Sequence, residues 1–174
     1  MIIKKYQTYK YKTISYFVVE RFGEDMFYLH MFLLNCFGYL RRKNNLEFKE
    51  EIKTICEYGM TFDNAEISID NENNIVYVIE SFYDYRSRPK TPKIEELLET
   101  ENFIELCKMG FLNYITMTRD NFMHLLLTWN KILDQLPPFA LLYQDDKDWY
   151  DILSFDSKEA MDKFLADHTK KETN

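Results

Sequence analysis

The chain has 174 residues, a length that suits one domain, and hydrophobic residues make up 46%, enough to form a core. This composition argues against disorder over most of the chain. The formal net charge of −7 disfavours nucleic acid as a partner, because an acidic surface repels phosphate and attracts basic proteins. Cys36, Cys56 and Cys107 are odd in number and widely separated, which indicates buried thiols in a reducing compartment instead of a disulfide framework.

The first 60 residues predict one strand and two helices. Residues 1–12 carry four lysines, no acid and no apolar run that would make a secretory signal, so we expect a basic segment that frays. Residues 14–20 are β-branched and aromatic, which indicates a strand. The apolar run in residues 24–42 predicts a buried helix, because its central part is shorter than the roughly 20 residues that cross a bilayer. Residues 46–58 predict a second helix, and Gly59 stands where a helix C-terminal glycine is expected.

The middle of the chain predicts a hairpin, a loop and two short helical segments. Residues 65–70 alternate between apolar and polar, whereas 75–82 is apolar on both faces, and a polar turn joins these two strands. Residues 83–93 contain two prolines and are predicted to form a loop. Helical periodicity then returns at 94–98 and 103–109.

Residues 114–168 predict a strand, a helix, two strands and a final helix. Apolar residues of 119–135 recur at i, i+3, i+4 and i+7, which indicates an amphipathic helix. Thr118 can cap the start of this helix through its hydroxyl group, and Pro137 and Pro138 end it.

The final helix is predicted to begin at residues 156–159, where Asp156 and Glu159 have the spacing of a capping box. Residues 169–174 are a polar tail that we expect to fray. The hairpin-length connections at 70–75 and 144–149 exclude a wholly parallel sheet. The sequence therefore predicts one α+β domain, residues 1–174, with a mainly antiparallel sheet of about five to six strands packed with four to five helices.

The sequence contains no motif that would support catalysis, a metal ion or a cofactor. His30, His124 and His168 have no second ligand at metal-binding spacing, and His124 is expected on the solvent side of its helix. Residues 70–74 resemble the start of a calcium loop, but Ile75 stands where an EF-hand requires glycine. The motifs GxxxxGK[ST], GxGxxG, GxSxG, HExxH and CxxC are absent from the sequence.

Two patches of acidic and aromatic residues remain as candidate partner-binding surfaces. Tryptophan and tyrosine bury a large area at a small entropic cost, and carboxylates pair with arginine or lysine. The predicted partner-binding residues are Asp145, Asp146, Asp148, Trp149, Tyr150 and Asp151 in one turn, and Tyr83, Asp84 and Tyr85 after the hairpin. Alternatively, Trp149 packs in the core and its acids form a solvated turn; the alternation along 149–155 does not decide between these two interpretations.

The C-terminal part of the chain resembles a known family. The run NFMHLLLTWNKILDQLPPFALLYQDDKDWYDILSFDSKEAMDKF is similar to the C-terminal part of bacterial immunity proteins that neutralise ribonuclease toxins of contact-dependent growth-inhibition systems. The similarity covers roughly the last third of the chain, especially Leu136 to Tyr143 and the pair Trp149-Tyr150.

This resemblance implies a cytoplasmic, non-enzymatic protein that binds the C-terminal nuclease domain of its cognate toxin and blocks the active site. A ribonuclease site must be basic to hold phosphate, so an acidic inhibitor suits it. The turn around Asp145–Asp151 is the leading candidate for this contact. Three alternatives remain at this stage: an enzyme of unrecognised type, a nucleic-acid mimic, and a small acidic regulatory or assembly protein that binds another basic partner.

Overall fold

Residues 1–12, 16–21, 29, 33, 45–62, 65–80 and 87–169 are described by the structure, a computed structural model. Its strands are β1 (Ile3–Lys12), β2 (Tyr16–Arg21), β3 (Met60–Phe62), β4 (Ala65–Asp70), β5 (Ile75–Glu80), β6 (Tyr114–Thr118), β7 (Phe139–Asp145) and β8 (Tyr150–Phe155). Its helices with defined bounds are α1 (Asn45–Tyr58), α2 (Pro92–Glu99), α3 (Phe103–Lys108), α4 (Arg119–Gln135) and α5 (Lys158–His168).

The described strands form two antiparallel sheets, which confirms the predicted α+β class. One sheet has the order β2-β1-β7-β8 and the other has the order β3-β4-β5-β6. The first sheet belongs to a compact unit of residues 1–27 and 124–174, and the second belongs to a unit of residues 28–123. The described residues contain eight strands, whereas the sequence predicts about five to six. The two strands that the sequence did not predict are β1 and β3.

Strand β1 lies inside the first sheet, so the prediction that residues 1–12 form a fraying segment is wrong. It pairs with β2 on one side and with β7 on the other, and Tyr9 lies opposite both Val19 and Ala140. Tyr9 is fully buried, while Lys10 remains exposed and its ammonium lies 5.9 Å from the centre of the Phe139 ring. The β-branched and tyrosine residues of this segment favour a strand, and backbone pairing along both edges accommodates its four lysines.

The two faces of the first sheet carry separate layers of side chains. Ile3, Leu141 and Tyr143 form a buried cluster with Met161 and Leu165 of α5. Neighbouring residues along a strand point to opposite faces, and a register irregularity between Ile3 and Lys5 puts Tyr9, which pairs with Ala140, on the other face from Ile3 and Leu141.

On that opposite face, the ring centroids of Tyr9 and Trp129 are 5.5 Å apart. The first sheet is thus covered by α5 on one face and by the part of α4 from His124 onward on the other.

The cap of α5 differs from the prediction: the hydroxyl of Ser157, and not the carboxylate of Asp156, accepts the N–H of Ala160 at 3.1 Å.

The second unit contains the predicted hairpin of β4 and β5. The carboxylate of Asp70 accepts the backbone N–H of Asn73 at 3.1 Å and its side-chain amide at 2.9 Å, which fixes the turn. One face of β5 packs through Tyr77 and Ile79 onto a core cluster whose buried members also include Leu97, Leu106, Cys107, Phe111 and Leu112. Val76 and Val78 on the other face are also buried, and α1 packs beside β4.

Several predictions fall wholly or partly outside the described residues. Of the helix predicted within residues 24–42, only Leu29 and Leu33 are described, and both are helical and fully buried. Residues 14–15 of the predicted strand 14–20, residues 81–82 of the predicted strand 75–82, residues 83–86 of the predicted loop and residues 170–174 of the tail are also outside the described ranges. Among the helices that are described, none has the length and apolar character needed to span a membrane.

Gly59 ends α1 as the sequence predicts, and it does so in a left-handed conformation. Its φ is +76°, and its N–H donates to the carbonyl of Ile55 at 2.9 Å. A Cβ at this position would lie 2.1 Å from the carbonyl oxygen of Ile67 on β4. Gly110 has a similar φ of +72°, but a Cβ there would meet no atom within 4 Å.

These two glycines provide a matched pair for testing the packing of α1 on β4. Gly59→Ala should lower the free energy of unfolding by about 2–4 kcal/mol, because it adds a clash with a backbone carbonyl to the strain of a positive φ. Gly110→Ala should cost only about 1 kcal/mol, because it adds the strain alone. Chemical denaturation measures both values, and equal losses would contradict the close approach of Gly59 to Ile67.

Candidate functional site

Asp145 builds the turn between β7 and β8 from inside. One oxygen of its carboxylate accepts the backbone N–H groups of Lys147 and Trp149, both at 2.9 Å. The backbone of Asp145 accepts from Asp148 at 3.2 Å and donates to Trp149 at 2.9 Å. Asp148 completes the turn in the left-handed region, with a φ of 62°. Asp145 is therefore a structural residue of the turn, since it satisfies two backbone donors that would otherwise have no partner there.

The N-terminal end of the chain holds the next two acids of the turn. The backbone N–H of Ile2 donates to Oδ1 of Asp146 at 3.1 Å, and this hydrogen bond lowers the pKa of the Asp146 carboxyl. Lys4 Nζ lies 2.9 Å from Oδ1 of Asp148, which also accepts from the side chain of Gln144 at 3.3 Å. The side chain of Asp148 remains 73% exposed, so its ion pair with Lys4 contributes little stability but restrains its position.

Asp151 bonds to a residue that the sequence did not connect with the turn. Its carboxylate lies 2.8 Å from Nε2 of His124 and also accepts the backbone N–H of Ile152 at 2.8 Å. Burial raises the pKa of the Tyr143 phenol to about 12, and the negative charge of Asp151 adds to this effect. The prediction that His124 simply faces solvent is therefore incomplete, because its half-exposed ring makes a specific contact with β8.

The two aromatic residues of the turn occupy different environments. Tyr150 is only 3% exposed, which removes it from the surface and assigns it to the core. Trp149 is partly exposed, and its ring centroid lies 5.5 Å from that of His124 at an interplanar angle of 46°. Neither of the two sequence interpretations describes Trp149 fully, because one side of its ring packs on His124 and part of it reaches solvent.

The surface around the turn therefore consists of four carboxylates and one aromatic ring. We call this set the acidic turn; its members are Asp145, Asp146, Asp148, Trp149 and Asp151. The second predicted patch, Tyr83, Asp84 and Tyr85, lies outside the described residues. The partners Ile2, Lys4 and His124 were missed because they lie far from the turn in sequence and carry no local signal. Within the described ranges, no three His, Cys, Asp or Glu side chains are grouped so that they could hold a metal ion.

A strongly perturbed carboxyl group lies in the other unit, on β4. The pKa of Glu66 is raised to about 7, mainly by burial; a hydrogen bond with Thr61 opposes this increase and the charge of Glu101 adds to it. A raised carboxyl pKa is a feature of many acid–base catalysts, but structural carboxyls also show it. Glu66 is therefore the residue to consider for the alternative of an unrecognised enzyme.

Comparison with known proteins gives no relative for this chain: no protein-family model, curated protein or solved structure matches it. The geometry of the acidic turn consequently carries the functional argument, together with the resemblance noted in the sequence.

The role of Asp145 in the turn can be tested by substitution. Asp145→Ala should lower the free energy of unfolding by about 1–2 kcal/mol, because the N–H groups of Lys147 and Trp149 lose their acceptor. Asp145→Asn keeps a side-chain oxygen and should cost less. Chemical denaturation gives the values, and Asp162→Ala on the exposed side of α5 is the control. A loss for Asp145→Ala no larger than that of the control would contradict this role.

The raised pKa of Glu66 predicts a dependence of stability on pH. Because the folded state holds the proton up to about pH 7, whereas an unfolded carboxyl releases it near pH 4.5, stability should fall as pH rises between these values. Glu66→Gln should remove this fall and be more stable than the natural chain by about 1–3 kcal/mol at pH 8, with a smaller difference at pH 4.

Denaturation at several pH values measures the effect of Glu66→Gln. The control is Glu72→Gln, which removes the same charge from the exposed hairpin turn and should keep the fall in stability that Glu66 causes. If Glu66→Gln has the same pH profile as the natural chain, burial does not perturb this carboxyl.

Proposed function

We propose that this chain is a non-enzymatic toxin immunity protein that binds a basic nuclease domain, a ribonuclease, and blocks its active site with the acidic turn. The observation that carries the proposal is a pre-formed turn that holds the exposed carboxylates of Asp146 and Asp148 and the partly exposed ring of Trp149 in one short segment. Such a surface offers two hydrogen-bond acceptors with negative charge beside an apolar platform, which suits arginine and lysine side chains.

Charge supports the choice of a nuclease as the partner. A ribonuclease must present cationic groups to hold the phosphates of its substrate, and these groups become the natural target of carboxylates. The net charge of −7 on this chain would steer such a domain toward it over long distances. Carboxylates can occupy positions that phosphates would otherwise take, so binding and inhibition follow from the same contact.

The internal hydrogen bonds of the acidic turn favour tight binding. Asp146 and Asp148 each use Oδ1 for their contacts with Ile2 and Lys4, and a carboxylate oxygen pair can accept further hydrogen bonds. Because these contacts already restrict the side chains, less conformational entropy is lost when a partner binds. Lys4 is exposed and can move aside, so a partner arginine could replace it at Asp148.

The resemblance to immunity proteins supports the same reading and adds the expectation of a cytoplasmic location. Its shared residues, Leu136 to Tyr143 and Trp149-Tyr150, include the first five residues of β7, the last residue of the turn and the first residue of β8. A regulatory or assembly protein that binds a different basic partner would use the same surface chemistry. An experiment with a nuclease as the partner distinguishes the immunity function from this alternative.

The test is inhibition of RNA cleavage by the nuclease domain encoded next to the gene for this chain. The natural chain at stoichiometric excess should abolish cleavage. Asp146→Asn with Asp148→Asn should lower the association rate constant about tenfold at low salt, because two steering charges are removed while the amide oxygens keep the turn contacts. The difference should shrink as salt is added.

The matched control is the double variant Glu159→Gln with Asp167→Asn, which removes the same charge from the exposed surface of α5. It should change the association rate much less. Equal effects of the two double variants would place the interface elsewhere on the chain. RNA cleavage that continues in the presence of excess natural chain would refute the immunity function for that nuclease.

A further inference from the structure

Strand β6 is an open edge of the second sheet. Within the described residues it pairs only with β5, at the end of the order β3-β4-β5-β6. Its five residues, Tyr114 to Thr118, include no charge, no proline and no glycine, and the register with β5 contains no bulge. An edge of this kind presents backbone groups that can pair with another strand.

The register shows which backbone groups of β6 point away from the sheet. Arg119 donates its N–H to the carbonyl of Asn74 at 3.2 Å, in the same register as the β5–β6 pairs. Since bonded and non-bonded pairs alternate in an antiparallel ladder, Met117 and Ile115 bond to β5. The backbone N–H groups of Tyr114, Thr116 and Thr118 therefore point outward.

The other edges in the described part of the chain are shorter or carry charges. Strand β3 has only three residues, and β2 includes Glu20 and Arg21. On β8 the outward N–H of Ile152 is already bonded to the carboxylate of Asp151, which is held in turn by His124. Short edge strands, charged residues and edge N–H groups that are already bonded all hinder unwanted strand pairing, and β6 has none of these features.

The exposed side chains of β6 are compatible with a second copy of the same strand. Burial alternates along β6, and the exposed residues are Tyr114, Thr116 and Thr118. In an antiparallel arrangement with a two-fold axis at Thr116, threonine would face threonine and Tyr114 would face Thr118 of the other copy. Such pairs stabilise a sheet, and no like charges oppose each other. Arg119, which bonds to Asn71, would lie opposite Asn113.

We propose that two copies of this chain associate through β6, so that their β3-β4-β5-β6 sheets join into one eight-stranded antiparallel sheet. About four new hydrogen bonds would form, two between the Thr116 residues and two from Thr118 to Tyr114 of the other copy. The partly exposed ring of Tyr114, at 40% exposure, would be covered by the second copy. The pairing uses no residue of the acidic turn, which belongs to the other unit.

The test compares variants on two edge strands by sedimentation and light scattering from micromolar to near-millimolar concentration. The natural chain should reach the mass of a dimer. Thr116→Lys should weaken association at least tenfold, because two ammonium groups would face each other at the two-fold axis. Ser154→Lys is the matched control: it places the same charge at an exposed position of β8 and should leave the dimer unchanged.

Hydrogen exchange gives a second measurement on the natural chain. The amides of Thr116 and Thr118 should become protected as the concentration rises, whereas those of Ile115 and Met117 should be protected at every concentration. If Thr116→Lys does not fold, Thr116→Cys replaces it and should form a disulfide-linked dimer on mild oxidation, while Ser154→Cys should not. A chain that stays monomeric, or a dimer that persists in Thr116→Lys without concentration-dependent protection, would overturn the proposal.

Discussion

The first unit depends on the pairing of β1 along both of its edges. This strand joins β2 to β7, and it brings Ile2 and Lys4 to the turn that begins at Asp145. The start of β1 also lies beside the residue that follows α5, through a parallel bridge between Ile3 and Thr169. One strand at the start of the chain thus positions a turn and a helix end that are formed more than 140 residues later. The acidic turn would lose two of its restraints without it.

The central position of β1 buries polar side chains, which lowers the stability of the folded state. The side-chain amide of Gln7 is fully buried and has no hydrogen-bond partner among the described residues, which costs about 1–3 kcal/mol. Burial also raises the pKa of the Tyr9 phenol far above its usual range, so this side chain stays neutral. The two backbone ladders and the packing of Tyr9 on Trp129 offset this cost.

The same carboxylates serve stability and, in our proposal, recognition. Asp145 satisfies backbone donors, Asp146 and Asp148 hold the start of β1, and Asp151 joins β8 to His124 and occupies an outward N–H of the sheet edge. Each acid of the turn therefore has a structural role. The binding proposal accordingly depends on the fixed geometry of the exposed carboxylate oxygens and not on an excess of charge. The open edge of β6 lies in the other unit, and the association proposed for it uses none of the acidic-turn residues.

The sequence alone determined the elements whose signals are local. Helix α4 has the predicted bounds 119–135 because its apolar spacing, the Thr118 cap and the two prolines act within a few residues, and the hairpins and the α+β class follow in the same way. Only the tertiary structure decided the role of residues 1–12, the burial of Tyr150 and the bond between His124 and Asp151. These depend on contacts between segments distant in the chain: residues 3–12 form a central strand because β2 and β7 supply hydrogen bonds on both sides.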